Sequence, residues 1–448
     1  MFKGKKVLVL GLARSGNAAV RLLEHCHATI TINESKQPQD IPEYDDYVSR
    51  GFEMVCGGQP DELFERDFDF VIKNPGINYH APFILRLKER GIPVYTEVEL
   101  GYQVAKPQNY IAITGTNGKT TTVSLIHDIL QKAGHKVHIC GNFGIPYCDV
   151  IMDHHLDEEE GHDIVVEMSN FQLIDIDTFT PQIASVLNLT PDHLDYMASL
   201  DEYYASKMRI YMNQRPEHIM INNLDDDVLQ TYLRDYPVPS TIETFSVTKE
   251  ADCMLKDNTI YYKGEKVINR KDIRIVGLHN VSNIMAAIIA CAHCGIDCAT
   301  LGQLIATFRG VEHRIEFVRE LDGVSYYNDS KGTNVDATVI ALKAFEEPVI
   351  LLIGGFEKGL DLKPMAELKD NIKALITYGA TRERFAKDMG VDPTYIELNL
   401  EAACNRAKAI ATVGDVVLLS PSTSSFDEFK SYEHRGRVFK DIVNHFEQ

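Results

Sequence analysis

A glycine turn followed by a lysine and a threonine is the stretch of this sequence best suited to chemistry. The apolar strand pattern Tyr110–Ile113 leads into the turn 115–118, GTNG, and Lys119 and Thr120 open a helical pattern. A strand, a glycine turn and a helix N-terminus gather backbone N–H groups around one point, where Lys119 adds a positive charge. The pattern therefore predicts a phosphate-binding loop, with the Thr120 hydroxyl on a Mg²⁺ ion. The alternative is an ordinary glycine turn between a strand and a helix.

Acidic and imidazole side chains end two later strand patterns. Residues 163–167 form an apolar run that closes in Glu167, and residues 183–187 lead to His193, which lies among aspartates. Ligands of α/β proteins bind at the carboxyl ends of strands. A carboxylate at such an end, beside a phosphate loop, is suited to holding Mg²⁺. The sequence therefore predicts a metal–nucleotide site at this edge of a sheet.

The first segment alternates strands and helices in the manner of a dinucleotide-binding fold. The strand pattern Val7–Leu10 precedes the turn 11–16, GLARSG, and a second strand ends at Asn33 and Glu34. The turn nearly matches the dinucleotide fingerprint, but Ala13 replaces its middle glycine. This replacement disfavours NAD binding. The alternative is a βα turn in a Rossmann-like domain that binds another ligand at its strand ends.

The length and the succession of elements predict several domains. A chain of 448 residues is too long for one compact core. Strand and helix patterns alternate through the middle of the chain up to residue 279, and again after Val311. We expect an α/β protein with three domains, at residues 1–106, 107–310 and 311–448.

Composition and charge exclude several classes of protein. The net charge of -20 argues against a general nucleic-acid binder. No apolar run approaches the roughly 18–20 residues of a membrane span, and no signal-peptide pattern opens the chain. The nine cysteines are an odd number without a small-scaffold pattern, which favours reduced thiols. We therefore expect a cytoplasmic protein without nucleic-acid or membrane partners.

Three cysteines close in sequence allow a metal interpretation. Cys291, Cys294 and Cys298 lie on or just after an apolar helical pattern. A second cysteine pair with zinc spacing does not occur in the sequence, and cysteine is often a small buried hydrophobic residue. We therefore favour the interpretation that these cysteines are small buried residues and not metal ligands.

Eight segments, taken together in their order and spacing, resemble the Mur ligases of bacterial cell-wall synthesis. They are TGTNGKTT, EMSNFQL, LNLTPDHLD, GLHNVSN, HRIE, YNDSKGTN, GGFEKG and LSPSTSSFDEF. The resemblance covers nearly the whole chain. It implies a Rossmann-like N-terminal domain for the UDP part of the substrate, a central P-loop-type ATPase domain, and a Rossmann-like C-terminal domain for an amino acid.

Within the family, the segments are most similar to those of members that add D-glutamate. The resemblance implies a monomeric, ATP-dependent ligase that joins D-glutamate to UDP-N-acetylmuramoyl-L-alanine through an acyl phosphate, in peptidoglycan precursor synthesis. A sister ligase that adds another amino acid is the alternative. A folate-type ligase and a nucleotide-binding regulator without catalysis are further rivals.

The resemblance also implies a nucleotide site with two Mg²⁺ ions. Thr120 and Glu167 would hold one ion, while His193 and a carbamylated Lys207 would hold the other, because a carbamate turns a cation into an oxygen-donor anion. A solvated helix lysine is the alternative for Lys207. The implied catalytic residues are Lys119, Glu167, His193 and Lys207. The implied ATP-binding residues are Gly115, Thr116, Asn117, Gly118, Lys119, Thr120, Thr121, Asn142, Asn280, Asn283, Arg314 and Asp329.

Roles within the ATP set follow from the resemblance. Asn142 and Arg314 would contact phosphates, Asp329 the ribose, and Asn280 and Asn283 the adenine. Helix N-capping is the alternative for the two residues assigned to adenine.

The resemblance places substrate residues in the first and third domains. Those implied for the UDP part are Leu12, Ala13, Arg14, Ser15, Asn33, Glu34 and Asn74. Those implied for D-glutamate are Lys331, Thr333, Lys358, Ser425 and Phe426. The alternative for Asn74 is a simple turn. Phe356 stands where the family pattern has an acidic residue, and Glu357 is the expected substitute.

Overall fold

The computed structural model of the protein describes residues 2–191 and 199–447, which form three sheets flanked by helices. The α/β class is therefore confirmed. Contacts divide the chain into two compact units, residues 1–267 with 282–302, and residues 268–281 with 303–448. The predicted domain limits after residues 106 and 310 stay predictions.

The first sheet has five parallel strands. Its elements are β1 Lys6–Leu10, α1 Arg14–His25, β2 Thr29–Glu34, α2 Tyr44–Ser49, β3 Glu53–Cys56, α3 Asp61–Phe64, β4 Phe70–Lys73, α4 Pro82–Glu89, β5 Val94–Tyr95 and α5 Glu97–Val104. The strand order is β3-β2-β1-β4-β5. Residues 7–10 are fully buried, as expected for a strand covered on both faces. The order reverses between β1 and β4, and ligands of such sheets bind at this point.

The central sheet has nine strands in the described residues. Its elements are β6 Asn109–Thr114, α6 Lys119–Lys132, β7 Val137–Gly141, α7 Tyr147–His154, β8 Asp163–Glu167, α8 Asn170–Leu173, β9 Ile183–Val186, α9 Leu200–Met208, β10 Ile219–Asn223, α10 Asp227–Asp235, β11 Thr241–Ser246, β12 Cys253–Lys256, β13 Thr259–Tyr262, β14 Glu265–Asn269, α11 Leu278–His293 and α12 Cys298–Thr307. The order is β14-β13-β12-β11-β10-β9-β6-β8-β7. It places β6, which ends at the phosphate loop, between β8 and β9.

The predicted alternation of helices and strands is wrong between residues 241 and 269. Strands β11 to β14 follow one another in this stretch, and β12 and β13 pair antiparallel. Asp257 and Asn258, which connect β12 to β13, both have positive φ, as do Lys263 and Gly264 after β13. Such residue pairs form the tight turns of hairpins.

The third sheet has six strands. Its elements are β15 Glu316–Leu321, β16 Val324–Asn328, α13 Val335–Lys343, β17 Val349–Gly354, α14 Lys363–Ala366, β18 Ile372–Tyr378, α15 Arg382–Met389, β19 Thr394–Ile396, α16 Leu400–Ile410, β20 Val416–Leu419 and α17 Tyr432–Asn444. The order is β15-β16-β20-β17-β18-β19, with only β15 antiparallel to its neighbour. Ile350 and Leu352 join one apolar core, while Leu351 and Ile353 join another. Helices therefore cover both faces of a Rossmann-like sheet.

The cysteines are free thiols in this structure. Burial raises the pKa of the fully buried Cys291 thiol well above its usual value. Across residues 2–191 and 199–447, no three His, Cys, Asp or Glu side chains are placed to hold a metal ion. Cys291 thus behaves as a buried apolar residue. Among the helices described, none combines the length and the apolar character needed to cross a membrane.

Candidate active site

The predicted phosphate loop lies between β6 and α6, and two glycines shape it. Gly118 has a φ of +85°, and a Cβ there would lie 2.2 Å from Oδ1 of Asn283. Gly115 has a φ of +145°, and a Cβ there would lie 3.1 Å from Cβ of Leu187. A side chain at either position would therefore strain the backbone. The Lys119 ammonium donates to the carbonyl oxygens of Gly115 at 2.7 Å and of residue 116 at 2.8 Å, so its charge lies directly against the loop.

Residues after β9 support the loop from one side. The Asn117 N–H donates to Oδ1 of Asn188 at 2.8 Å, and Nδ2 of Asn188 donates to the Asn117 carbonyl at 3.0 Å. The Thr190 N–H donates to the Thr116 hydroxyl, which in turn donates to the Thr190 carbonyl, each at 3.0 Å. Our sequence analysis missed Asn188 and Thr190 as supports of the loop. Their only signal was membership of the segment LNLTPDHLD.

The structure brings Thr120, Asn142 and Glu167 together beside the loop. Oε2 of Glu167 accepts a hydrogen bond from the Thr120 hydroxyl at 2.8 Å, and Oε1 accepts one from Nδ2 of Asn142 at 2.7 Å. The Glu167 side chain is buried, because β8 lies between β6 and β7. A hydroxyl and a carboxylate are oxygen donors of the kind that Mg²⁺ prefers, so these residues fit the ion. His193, predicted to hold a second ion, lies outside the described residues.

Lys207 is buried beside the phosphate loop, so its alternative as a solvated helix lysine is wrong. The residue is 1% exposed, and its Nζ donates to the Gly115 carbonyl at 3.1 Å. Nζ also lies 4.5 Å from the ring centre of Tyr203, one helical turn earlier on α9. Lys119 and Lys207 therefore direct their Nζ atoms at the same carbonyl oxygen.

The two asparagines assigned to adenine lie inside α11. Because the helix begins at Leu278, neither Asn280 nor Asn283 is its N-cap residue, and the capping alternative is wrong. Nδ2 of Asn280 donates to the Val276 carbonyl at 2.7 Å. Asn283 is buried against Gly118 of the phosphate loop.

A cavity of about 440 Å³ lies at the carboxyl ends of β1, β2 and β4. Six of the seven residues predicted for the UDP part line it, namely Leu12, Ala13, Arg14, Asn33, Glu34 and Asn74. The seventh, Ser15, accepts a hydrogen bond from Nδ2 of Asn74 at 3.2 Å. The structure thus gathers this whole set at the point where the strand order reverses. The alternative of a simple turn at Asn74 is also present, because the Gly76 N–H donates to Oδ1 of Asn74 at 3.0 Å and the Ile77 N–H donates to the Asn74 carbonyl at 3.0 Å. The contact of Asn74 with the UDP part stays a prediction.

Two polar side chains of the cavity are held by the backbone around them. Oε2 of Glu34 accepts the Leu12 N–H at 2.8 Å. Burial alone would raise the pKa of Glu34, but hydrogen bonds from the N–H groups of Leu12 and Lys36 lower it overall. Nδ2 of Asn33 donates to the carbonyls of Val55 at 3.0 Å and of residue 58 at 2.8 Å. These bonds fix the floor of the cavity.

In the second unit, a buried arginine joins the two loops predicted to bind D-glutamate. Arg435 of α17 is fully buried and donates through Nη2 to the Ser330 carbonyl at 2.9 Å. Nη1 donates to the Thr423 carbonyl at 3.1 Å. Our sequence analysis missed Arg435. The sequence indicates it only as a basic residue on the apolar face of a helix. It ties the loop of Lys331 and Thr333 to the loop of Ser425 and Phe426.

The residues predicted for D-glutamate differ in exposure. Lys331, Lys358 and Phe426 are exposed, whereas Ser425 is buried and its hydroxyl has no hydrogen-bond partner in the structure described. Glu357, expected to replace a missing acidic residue, pairs with Arg384 through contacts of 2.7 and 2.9 Å. Hydrogen bonds from Arg384 lower the pKa of Glu357 to about 2. The carboxylate of Glu357, which we expected to contact the amino acid, is therefore already paired with Arg384.

Asp329 carries a prediction about pH. It is 4% exposed and accepts hydrogen bonds from the Ser420 hydroxyl at 2.7 Å and the Ile315 N–H at 3.2 Å, and burial raises its pKa to about 7. Because the folded pKa lies above the unfolded one, its stabilising contribution is complete below about pH 4 and is lost as pH rises through 7. We expect Asp329→Asn to abolish this loss.

The measurement is chemical unfolding of the wild type and of Asp329→Asn at pH 5 and pH 8. From pH 5 to pH 8, the free energy of unfolding of the wild type should fall by roughly 2–3 kcal/mol more than that of the variant. A difference that does not change with pH would contradict the raised pKa. Asp415→Asn is the control, because hydrogen bonds with Lys373 and Thr412 outweigh burial and lower the pKa of that aspartate.

Comparisons with known proteins agree with this geometry. Residues 113–291 match the Mur ligase middle domain, and residues 313–423 match the Mur ligase glutamate ligase domain. The chain is 39% identical to the UDP-N-acetylmuramoylalanine–D-glutamate ligases of Geobacillus kaustophilus strain HTA426 and Bacillus cereus strain AH187, covering 99% of this chain and 98% of each relative.

Among solved structures, UDP-N-acetylmuramoyl-L-alanyl-D-glutamate–2,6-diaminopimelate ligase has the same fold. Its TM-score is 0.61 at 18% identity, covering 100% of this chain and 94% of that one. The full-length relatives, the two matching domains and the arrangement of the phosphate loop lead to one conclusion. The chain belongs to the Mur ligase family.

Proposed function

We propose that the protein is an ATP-dependent ligase that joins D-glutamate to UDP-N-acetylmuramoyl-L-alanine in peptidoglycan precursor synthesis. The observation that carries this proposal is the match, over 99% of the chain, to relatives named for that reaction. The phosphate loop with the Thr120–Glu167 pair supports the use of ATP and Mg²⁺. The enzyme would act in the cytoplasm, as a monomer, on soluble substrates.

The proposed reaction has two steps. The substrate carboxylate attacks the γ-phosphorus of ATP, so that a C–O–P bond forms and ADP leaves. The D-glutamate amine then attacks the acyl carbon, an amide forms, and phosphate leaves. Because the first step joins two anions, positive groups around the phosphate should contribute most to catalysis.

Residues of the phosphate loop would supply much of this stabilisation. Lys119 would leave the carbonyls of Gly115 and Thr116 and bind the β- and γ-phosphates, which the loop N–H groups also contact. Thr120 and Glu167 would hold Mg²⁺. The ion, when bound, neutralises phosphate charge. Asn142 would remain within reach of the same phosphates, because it already binds Glu167.

We also propose that Lys207 is carbamylated by CO₂ and serves, with His193, a second Mg²⁺ ion. In the structure the Nζ atoms of Lys207 and Lys119 meet at one carbonyl oxygen, so two ammonium groups would repel each other there. A carbamate would turn this repulsion into attraction. It would also present oxygen donors beside the loop.

The remaining residues keep the roles that the family resemblance implies. The cavity of the first sheet would take the uracil, ribose and pyrophosphate. Asn280 and Asn283 would approach the adenine, Arg314 a phosphate and Asp329 the ribose. The D-glutamate pocket would be formed by Lys331, Thr333, Lys358, Ser425 and Phe426.

The test of this function is ADP release from ATP with Mg²⁺ and UDP-N-acetylmuramoyl-L-alanine. Parallel reactions contain D-glutamate, L-glutamate, L-alanine or L-lysine, and a control omits the UDP substrate. We expect turnover with D-glutamate alone. Turnover only with another amino acid would identify a sister ligase, and no turnover with any of them would refute the proposal.

A further inference from the structure

Lys73, Lys88 and Asp175 form a group of charges that joins the first sheet to the segment after α8. Nζ of Lys73, at the end of β4, lies 3.2 Å from Oδ2 of Asp175, and Nζ of Lys88 lies 3.0 Å from Oδ1. The Lys73 and Asp175 side chains are each 1% exposed. Burial lowers the pKa of Lys73 although Asp175 opposes this shift. Lysine and aspartate are almost never this buried unless paired. The contact between Lys73 and Asp175 is an ion pair without a hydrogen bond, because Oδ2 of Asp175 has no hydrogen-bond partner among the described residues. Removing either charge would leave the other buried and unpaired.

Lys73 and Asp175 each lie close in sequence to a part of the candidate active site. Lys73 directly precedes Asn74, and its Nζ also donates to the Ile77 carbonyl at 3.2 Å. Asn74 and Ile77 both line the cavity of the first sheet. On the other side, Asp175 follows α8, a short helix that begins just after Glu167.

The helix between Glu167 and Asp175 is held at its start. Ser169 caps α8 through a reciprocal pair of bonds with Gln172. At its end, Arg209 donates to the carbonyls of Leu173 at 2.8 Å and Ile176 at 2.7 Å. Asp175 is therefore rigidly placed relative to Glu167.

A second contact repeats the connection nearer to Lys207. His80 lies six residues after Asn74, and its Nε2 lies 2.8 Å from Oε1 of Glu202. Glu202 is in the first turn of α9, the helix that carries Tyr203 and Lys207. This pair is partly exposed, at 39% and 25% for the two side chains. This pair is a second, weaker contact between the segment after β4 and the part of the central domain that carries the phosphate loop.

We propose that Lys73 and Asp175 are positioning residues, which fix the cavity of the first sheet relative to Glu167 and the phosphate loop. His80 and Glu202 support the same placement. The inference rests on the proposed function, because it takes the cavity as the site of the UDP part. A substrate anchored there must present its carboxylate to the γ-phosphate. A displacement of about 1 Å between reacting groups can cost on the order of 100-fold in rate.

A purely structural role would have a different signature. It would lower the stability of the protein but leave the turnover of each folded molecule unchanged. A positioning role should lower kcat while each half-site keeps its own affinity, because neither Lys73 nor Asp175 is among the residues that line the cavity. The experiment therefore separates binding from turnover.

The variants are Lys73→Met, Asp175→Asn and His80→Ala. In each folded variant we expect the Kd for UDP and the Kd for a non-hydrolysable ATP analogue to stay within about twofold of the wild type. We expect kcat to fall roughly 10- to 100-fold for the two buried positions and about three- to fivefold for His80→Ala. Arg86→Ala is the control, since it removes an exposed pair with Asp61 on the same helix as Lys88.

An unchanged kcat in the folded variants would overturn the inference. So would a rise in the Kd for UDP in proportion to the fall in kcat, because that would mean damage to the cavity itself. If neither buried variant folds, a double-mutant cycle of His80→Ala and Glu202→Ala decides: non-additive losses in kcat support positioning, and additive losses overturn it. A wild type without turnover would instead refute the proposed function.

Discussion

Replacing Lys207 with alanine is expected to reduce ADP release by about a thousandfold or more, and short carboxylic acids should partly restore it. The expected loss follows from removing a group that, as a carbamate, would offer oxygen atoms to a metal beside the phosphate loop. Acetate or formate can enter the space left by the side chain and supply a carboxylate there. The measurement is the rate of ADP release with and without about 100 mM of the acid, at constant ionic strength.

Lys207→Arg separates the carbamate from a simple ammonium role. Arginine keeps the positive charge near the Gly115 carbonyl but is not expected to form the carbamate. We therefore expect this variant to be as inactive as the alanine variant. Normal turnover of Lys207→Ala without an additive would refute the assignment, and substantial activity of Lys207→Arg would favour the ammonium. Lys136→Ala, which changes an exposed lysine, should retain full activity.

Replacing Lys119 with alanine is expected to reduce turnover by roughly a thousandfold or more. The reacting carboxylate and the γ-phosphate are both anions, so the transition state depends on the cation nearest to them. Lys119 already lies within 2.8 Å of two loop carbonyls, and a short movement would bring Nζ to the phosphates. ADP release measures the effect on kcat, and titration with an ATP analogue measures the effect on binding.

Lys132→Ala is the matched control for Lys119. Lys132 lies at the other end of α6, where it forms an exposed pair with Asp128 at 2.7 Å. Exposed pairs of this kind contribute about 0.3–0.5 kcal/mol, so turnover should change by less than about twofold. Equal losses in both variants would indicate damage to α6 instead of a role for Lys119 at the phosphates.

The parts of the site that the sequence predicted depend on local geometry. The phosphate loop was predictable because Gly115 and Gly118 need positive φ and adjoin a strand and a helix. Glu167 was predictable because a carboxylate that ends a strand next to β6 must lie at the same edge of the sheet. The residues after β1, β2 and β4 were implied by the family resemblance, and they line one cavity at the carboxyl ends of these strands.

The parts that the sequence did not predict depend on contacts between distant segments. The burial of Lys207 results from packing of α9 against the loop, which a helical pattern alone does not indicate. Arg435 is recognisable only once α17 is placed beside the loops that it joins. The pairing of Lys73 with Asp175 likewise links the end of β4 to the segment after α8, and nothing in either local pattern predicts the other.

The way the chain passes between the two compact units limits how this protein can be divided. The second unit includes residues 268–281 as well as 303–448, so the chain enters it, leaves it and returns. The early segment contributes contacts of its own, since the Arg274 carbonyl accepts a hydrogen bond from the Tyr327 hydroxyl and the Arg274 guanidinium lies over the Phe317 ring. A fragment cut at residue 303, or a chimaera spliced there, would lose these contacts. Exchange of this unit between related enzymes would therefore require three junctions, after residues 267, 281 and 302, or a circular permutation that rejoins the two segments.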